Sequence, residues 1–128
     1  MVIDTSAMVA ILQLEPEAEH FVRMINLDAV RLMSTASVLE TSIVLSVRRA
    51  EGALVELDRF IERSNIILEP VTANQAALAR DAFRRFGKGK HPAQLSFGDC
   101  FVYALAASAN EPVLFKGADF SKTDIATV

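Results

Sequence analysis

The feature that most constrains this chain is the alternation of strand-length apolar runs with helix-length segments. Val2-Ile3, Val30 to Met33, Ile66 to Leu68 and Pro112 to Phe115 are short and almost wholly apolar. Runs of that kind read as strands buried on both faces, the habit of a parallel sheet. Parallel neighbours require crossovers of about a dozen residues or more, usually helical. The segments between the runs are long enough and carry apolar residues at helical spacing. The pattern predicts one domain over residues 1–128, a three-layer α/β/α sandwich around a central, mostly parallel sheet of four to five strands.

Local signals place the helices. Thr5 and Ser6 offer hydroxyl caps for a helix through Leu12, and Pro16 suits the opening of a second with Phe21, Met24 and Ile25 on one face. The cluster Ser34 to Ser37 precedes a helix expected to reach about Ala50, where Gly52 interrupts, and another follows to about Arg63. Thr72 caps a helix to Phe86 with Gly87 as its stop; residues 87–97 form a loop; a helix runs from Asp99 to Ala109. An edge strand is expected at Ile125 to Val128.

Composition narrows the function. Thirteen basic and 16 acidic side chains give a net charge of −3, which argues against a protein that coats nucleic acid by bulk electrostatics. The longest apolar run, Cys100 to Ala107, is far too short for a bilayer crossing. The start Met-Val-Ile-Asp lacks the basic lead-in of a secretory signal. One cysteine, Cys100, forms no internal disulfide, and His20 and His91 have no metal-ligand spacing. A reducing, cytoplasmic compartment is expected.

In open α/β sheets, ligands bind beyond the carboxyl ends of the strands. Four acids belong there: Asp4 after the first strand, Glu40 in the helix after the second, Asp99 at the head of an apolar helix, and Asp119 after the fourth strand. Each has an ordinary use as well. Asp4 suits an N-cap, Glu40 a capping box with Ser37, Asp99 the positive end of a helix dipole, Asp119 a turn. Glu40 is expected on an apolar stripe with Ile43, Val44 and Val47, and Asp99 on one with Val102, Tyr103 and Ala106. Asp124 reads as a surface turn or cap residue.

Carboxylates crowded at one mouth repel one another, and burying them raises their pKa values. A hard divalent cation, Mg²⁺ or Mn²⁺, resolves that conflict with oxygen ligands. Other acid-rich sites fit less well. An aspartyl-phosphate phosphatase wants an acid where Ser6 stands, a receiver wants Asp after Leu68, and neither G-x-x-x-x-G-K-[ST] nor G-x-G-x-x-G occurs. No histidine is placed for a serine or cysteine triad.

Met1-Val-Ile-Asp4-Thr-Ser6-Ala, Ser37-x-x-Glu40-Thr, Phe97-Gly98-Asp99-Cys100 and Leu114-Phe115-Lys116-Gly117-x-Asp119-Phe120, in this order across the whole chain, resemble a PIN domain of the VapC toxin type. The resemblance implies an endoribonuclease dependent on Mg²⁺ or Mn²⁺ that leaves a 5′-phosphate and a 3′-hydroxyl. It also implies a VapB-type antitoxin that occupies the site and a homodimeric toxin. It makes Asp4 and Asp99 the principal metal ligands, with Glu40 and Asp119 completing the acidic set and Ser6 supporting them. Many relatives carry an acid at the position of Gly117. The basic run Arg84 to His91 suggests Lys88 and Lys90 as RNA contacts, with Phe86 as a stacking ring, and Lys116 beside Asp119 is a third cation. The stretch Leu12 to Ile25 and the helix Ala53 to Ile61 carry mixed faces suited to an antitoxin or dimer contact. A PIN-like nuclease acting in RNA or DNA processing, and a non-catalytic module on the same fold, are the competing readings.

Overall fold

The computed structural model describes residues 1–48 and 50–128. Its elements in order are β1 (Val2–Ile3), α1 (Thr5–Leu12), α2 (Ala18–Leu27), β2 (Leu32–Ser34), α3 (Thr35–Val47), α4 (Ala53–Arg63), β3 (Ile67–Glu69), α5 (Ala73–Phe86), α6 (Phe97–Ala109) and β4 (Val113–Leu114), closed by a 3₁₀ turn, Phe120–Lys122. The strands form one four-stranded sheet in the order β3-β2-β1-β4, with every pairing parallel. The three-layer α/β/α sandwich predicted from the apolar runs is the observed architecture.

Strand alternation builds both cores. Val2, Leu32 and Val113 point to one face and join Ala82, Val102, Leu105 and Phe120 from the α5–α6 side. Their neighbours Ile3, Met33 and Leu114 point to the other, against Met8, Ile11, Phe21, Ile25 and Leu57 from α1, α2 and α4. Successive strand residues face opposite ways, so the two-residue strands β1 and β4 serve both cores with apolar side chains alone. The run Ile66 to Leu68, expected to be buried on both faces, is not: β3 is the edge strand, and Ile67 is 57% and Leu68 40% exposed where the helices no longer cover the sheet.

Element boundaries differ from expectation for local reasons. The second strand starts at Leu32 because Val30 belongs to a turn, its N–H donating to Asp28 Oδ1 at 2.9 Å. Pro16 lies in a turn, and α2 opens two residues later, with Ala18 N donating to Glu15 O at 2.9 Å. The third helix takes Ser34 as its cap and ends at Val47; of the stretch expected to reach Ala50, Arg49 lies outside the described residues. The edge strand expected at Ile125 to Val128 reduces to one parallel bridge, Val113 to Thr127. Val113 N donates to Ala126 O at 2.9 Å and Val128 N to Val113 O at 3.0 Å. The 3₁₀ turn and Thr123-Asp124 consume the chain before it, leaving too few residues for a ladder.

The strand order has a functional consequence. From β1 the chain winds outward through β2 to β3, then returns across the sheet to place β4 on the other side of β1. The order therefore reverses between β1 and β4, and the loops leaving those strands diverge into a crevice. Phe120, 1% exposed, pins the loop after β4 to the core, its ring edge-on to Phe115 at 5.2 Å. Phe120→Ala is expected to destabilise the protein by about 3–5 kcal/mol in urea unfolding. A loss under about 1 kcal/mol would mean that the ring does not hold this loop.

Candidate active site

Asp4 follows β1 and caps α1. Its Oδ2 accepts from Ser6 N at 2.8 Å and from the Ser6 hydroxyl. That hydroxyl in turn accepts from Lys116 N at 2.8 Å, tying the exit of β4 to the exit of β1. Asp4 is 4% exposed, yet its second oxygen, Oδ1, has no hydrogen-bond partner among the described residues.

Asp99 repeats the arrangement on α6. The helix begins at Phe97 rather than at Asp99, with Ser96 as its cap. Ser96 N donates to Asp99 Oδ2 at 2.7 Å and Asp99 N donates to Ser96 Oγ at 3.3 Å, a reciprocal capping box. Asp99 therefore fixes one oxygen with a structural bond, as Asp4 does. Its stripe partners Val102, Tyr103 and Ala106 are buried as expected.

Glu40 corrects two expectations. With Ser34 as the cap, Glu40 lies in the second turn of α3, so it forms no capping box with Ser37. The Ser37 carbonyl accepts instead from Thr41 Oγ1 at 2.8 Å. The stripe expected to be buried beside it faces outward: Ile43 is 54% and Val47 77% exposed, and the buried face of α3 is Ser37, Thr41 and Leu45. The Glu40 carboxylate lies against Gly98, where an added Cβ would meet its Oε2 at 1.9 Å. Gly98 is thus the residue that lets α3 and α6 bring Glu40 beside Asp99. Asp119 is exposed in the loop after β4 and makes no side-chain cap.

The four acids sense one another. Burial pushes the Asp4 carboxyl up to about 6 against the lowering effect of its Ser6 bonds, and Asp99 and Glu40 push it the same way. The Asp99 carboxyl is also raised, first by burial, with Asp119 and Glu40 contributing. None of the four forms an ion pair with lysine or arginine among the described residues. Nor do any three acid, histidine or cysteine side chains there form a ready-made metal cage. The mouth is a loose set of carboxylates from four segments, with no cation paired to them among the described residues.

The basic candidates sit differently. Lys116 Nζ pairs with Glu15 at 2.5 Å and Glu17 at 3.2 Å, so its ammonium is engaged away from the acids and only its backbone N–H serves the site. Lys88 is exposed on the loop after α5, where its N–H donates to Leu95 O at 2.9 Å. Lys90 Nζ stands 5.1 Å from the Phe83 ring centroid. Phe86 is half-buried against His91 and Tyr103, whereas Phe97, which sequence reasoning passed over, is 80% exposed. Asp124 is held by Arg85 and by Tyr103 Oη, which donates to it at 2.6 Å; it is a tether for the C-terminal segment.

The family model described as PIN domain matches residues 1–126. The chain belongs to the PIN domain family. Ribonuclease VapC30 of Mycobacterium tuberculosis (strain ATCC 25618 / H37Rv) is 53% identical over 128 residues, covering 100% of this chain and 98% of that protein. Ribonuclease VapC of Mycolicibacterium smegmatis is likewise 53% identical, with 100% and 99% covered. A crystal structure of Mycobacterium tuberculosis VapC20, described as a sarcin-ricin loop cleaving toxin, superposes with a TM-score of 0.81 at 21% identity, over 99% of this chain and 97% of that one. That likeness concerns the fold.

Two outcomes test this PIN-domain geometry. A carboxyl raised by folding contributes stability that is fully present below about pH 4 and lost as pH rises through about 6. Metal-free protein should therefore lose about 3 kcal/mol across that window from Asp4 alone. In urea unfolding, Asp4→Asn should be the more stable protein at pH 7 and gain nothing below pH 4; equal stability at both would remove the buried charge from the account. Gly98→Ala should fold normally, since only the flexible tip of Glu40 has to move, but cleave RNA about a hundredfold more slowly. Wild-type cleavage by that variant would show that the position of Glu40 is immaterial.

Proposed function

We propose that the protein is a divalent-metal-dependent endoribonuclease and the toxin of a VapBC-type pair. The observation that carries this reading is the buried Asp4 Oδ1, without a donor among the described residues, in a mouth of four carboxylates none of which is ion-paired with a described lysine or arginine. The donor set is entirely oxygen, which suits Mg²⁺ or Mn²⁺. Asp4 and Asp99 would hold the ion, each already oriented by one hydrogen-bonded oxygen, and Glu40 and Asp119 would bind it directly or through water. When bound, such an ion polarises a phosphoryl oxygen and makes a coordinated water a stronger nucleophile.

The chain's own contributions are positional. Ser6 locks the Asp4 rotamer, and the Lys116 N–H fixes Ser6. Both α1 and α6 begin at this mouth, so their positive ends face an incoming phosphate and lessen its repulsion by the acids.

The identities to VapC ribonucleases over the full chain support RNA as substrate and an antitoxin as partner. The exposed side chains of Leu39, Ile43 and Val47, spaced four apart on α3, and of Leu54 and Val55 on α4 support a protein partner on that side. A homodimer and a cytoplasmic setting belong to the same reading. No described helix is long and apolar enough to cross a membrane.

The test is to sequence RNA ends after brief induction, wild type against Asp4→Asn, and to assay the purified proteins. Discrete new 5′ ends are expected from the wild type alone. Asp4→Asn and Asp99→Asn should each lose about a thousandfold or more in cleavage, the scale of several kcal/mol of transition-state stabilisation. EDTA should stop the wild type, and added Mg²⁺ or Mn²⁺ restore it. Cleavage that survives chelation would refute the metal; DNA cut in preference to RNA would favour a processing nuclease; and no cleavage of either, by folded protein with metal, would leave the binding module.

A further inference from the structure

The turn between α1 and α2 grips the loop after β4 through the Lys116 side chain. Lys116 Nζ donates to Glu15 Oε2 at 2.5 Å and stands 3.2 Å from Glu17 Oε2. Glu15 is held in turn from the end of α3, where Arg48 donates to its Oε1 at 3.4 Å and to Gln13 Oε1 at 2.6 Å. The bond from Lys116 keeps the Glu15 carboxyl below its usual range. Charged side chains from three segments thus meet beside the mouth, and none of its four acids is among them.

The backbone of the same lysine serves the mouth. Lys116 N–H donates to Ser6 Oγ at 2.8 Å, and the Ser6 hydroxyl donates to Asp4 Oδ2. A backbone N–H can only donate, so it takes a lone pair of the hydroxyl and leaves the hydroxyl proton to Asp4. Beyond Lys116 the chain turns at Gly117, whose φ of +115° suits glycine, and Asp119 follows two residues on. The far end of this loop is pinned by Phe120, so its near end is set by where Lys116 is held. With side chains 39% exposed at Lys116 and 40% at Glu17, such ion pairs add little to stability; what they fix is a position. We infer that Glu15 and Glu17 are remote positioning residues for RNA cleavage, a role that rests on the ribonuclease reading above. By gripping the Lys116 ammonium they hold its N–H on Ser6, and so keep Asp4 aimed and the loop of Asp119 in place.

The full chain is compared with Lys116→Met, with Glu15→Gln and Glu17→Gln together, and with the combination of all these changes; each variant keeps every backbone N–H. The substrate is a fluorogenic single-stranded RNA carrying a cleavage site mapped by the end sequencing above. In each variant kcat should fall by about tenfold or more, since an ångström's misplacement can cost about a hundredfold, while KM stays near the wild-type value. The combination should lose no more than Lys116→Met alone, because one linkage is cut in every case. Lys116→Arg, which can still bridge two carboxylates, should restore kcat, and the urea midpoints should nearly coincide. Without RNA, affinity for Mn²⁺, read from the electron paramagnetic resonance of the unbound ion, should fall in the same variants; a residue that touches only RNA would leave it unchanged. If Lys116→Met raises KM alone, and the paired glutamine variant lowers KM by freeing the ammonium, Lys116 is an RNA contact and the inference is overturned. Wild-type kcat and Mn²⁺ affinity in the paired glutamine variant, additive losses in the combination, or losses that follow a lowered urea midpoint overturn it as well. In each of these cases the ribonuclease reading stands, because the wild type still cleaves. Failure of the wild type to cut RNA with either metal removes both.

Discussion

Everything at the mouth of this sheet depends on how two aspartates divide their oxygens. Asp4 gives one oxygen to Ser6 and Asp99 gives one to Ser96, in each case closing the first turn of a helix. A capping bond of this kind is worth about 1 kcal/mol, modest beside the cost of burying a carboxylate. The same bond fixes the side-chain rotamer and thereby aims the second oxygen. If the second oxygens hold a cation, as proposed above, structural need and chemical use employ different atoms of these residues.

That division would accomplish nothing if the two caps lay apart, and topology brings them together. The sheet reverses its winding between β1 and β4. The exit of β1 supplies Asp4 and the exit of β4 supplies Asp119, while α3 and α6 run past the same edge with Glu40 and Asp99. Residues nearly the length of the chain apart are joined there by one bond, Lys116 N–H to the Ser6 hydroxyl. The short strands make the geometry possible. With so few residues in β1 and β4, the loops begin close to the core and are held by it, as Phe120 holds the loop of Asp119.

Much of this was legible in the sequence, for identifiable reasons. The strands announced themselves because residues facing two cores must all be apolar, as in Val2-Ile3 and Val113-Leu114. Asp4 was legible because it ends such a run, and Asp119 because it follows one within a few residues. Glu40 was found by an argument that the structure reverses: its apolar neighbours Ile43 and Val47 face solvent, and what holds Glu40 in place is the missing side chain of Gly98. No local pattern encodes that contact, which exists only once α3 and α6 are packed. The pairing of Lys116 with Glu15 and Glu17 is equally non-local. By contrast, Ser96-x-x-Asp99 is a capping-box spacing open to inspection in the sequence, and it places the helix start at Phe97.

The position of Phe97 follows from that same cap. A capping box leaves the first helical residue pointing out over the helix end, where packing against the body of the fold is least available. The Phe97 ring is 80% exposed and rests edge-on against Phe101 at 4.9 Å. Its neighbour Gly98 is small because Glu40 needs the space, and the next residue, Asp99, is acidic because the mouth and the cap both use it. Three consecutive residues of α6 thus carry a ring, a gap and a carboxylate toward different sides of one helix end, so the same turn serves separate contacts.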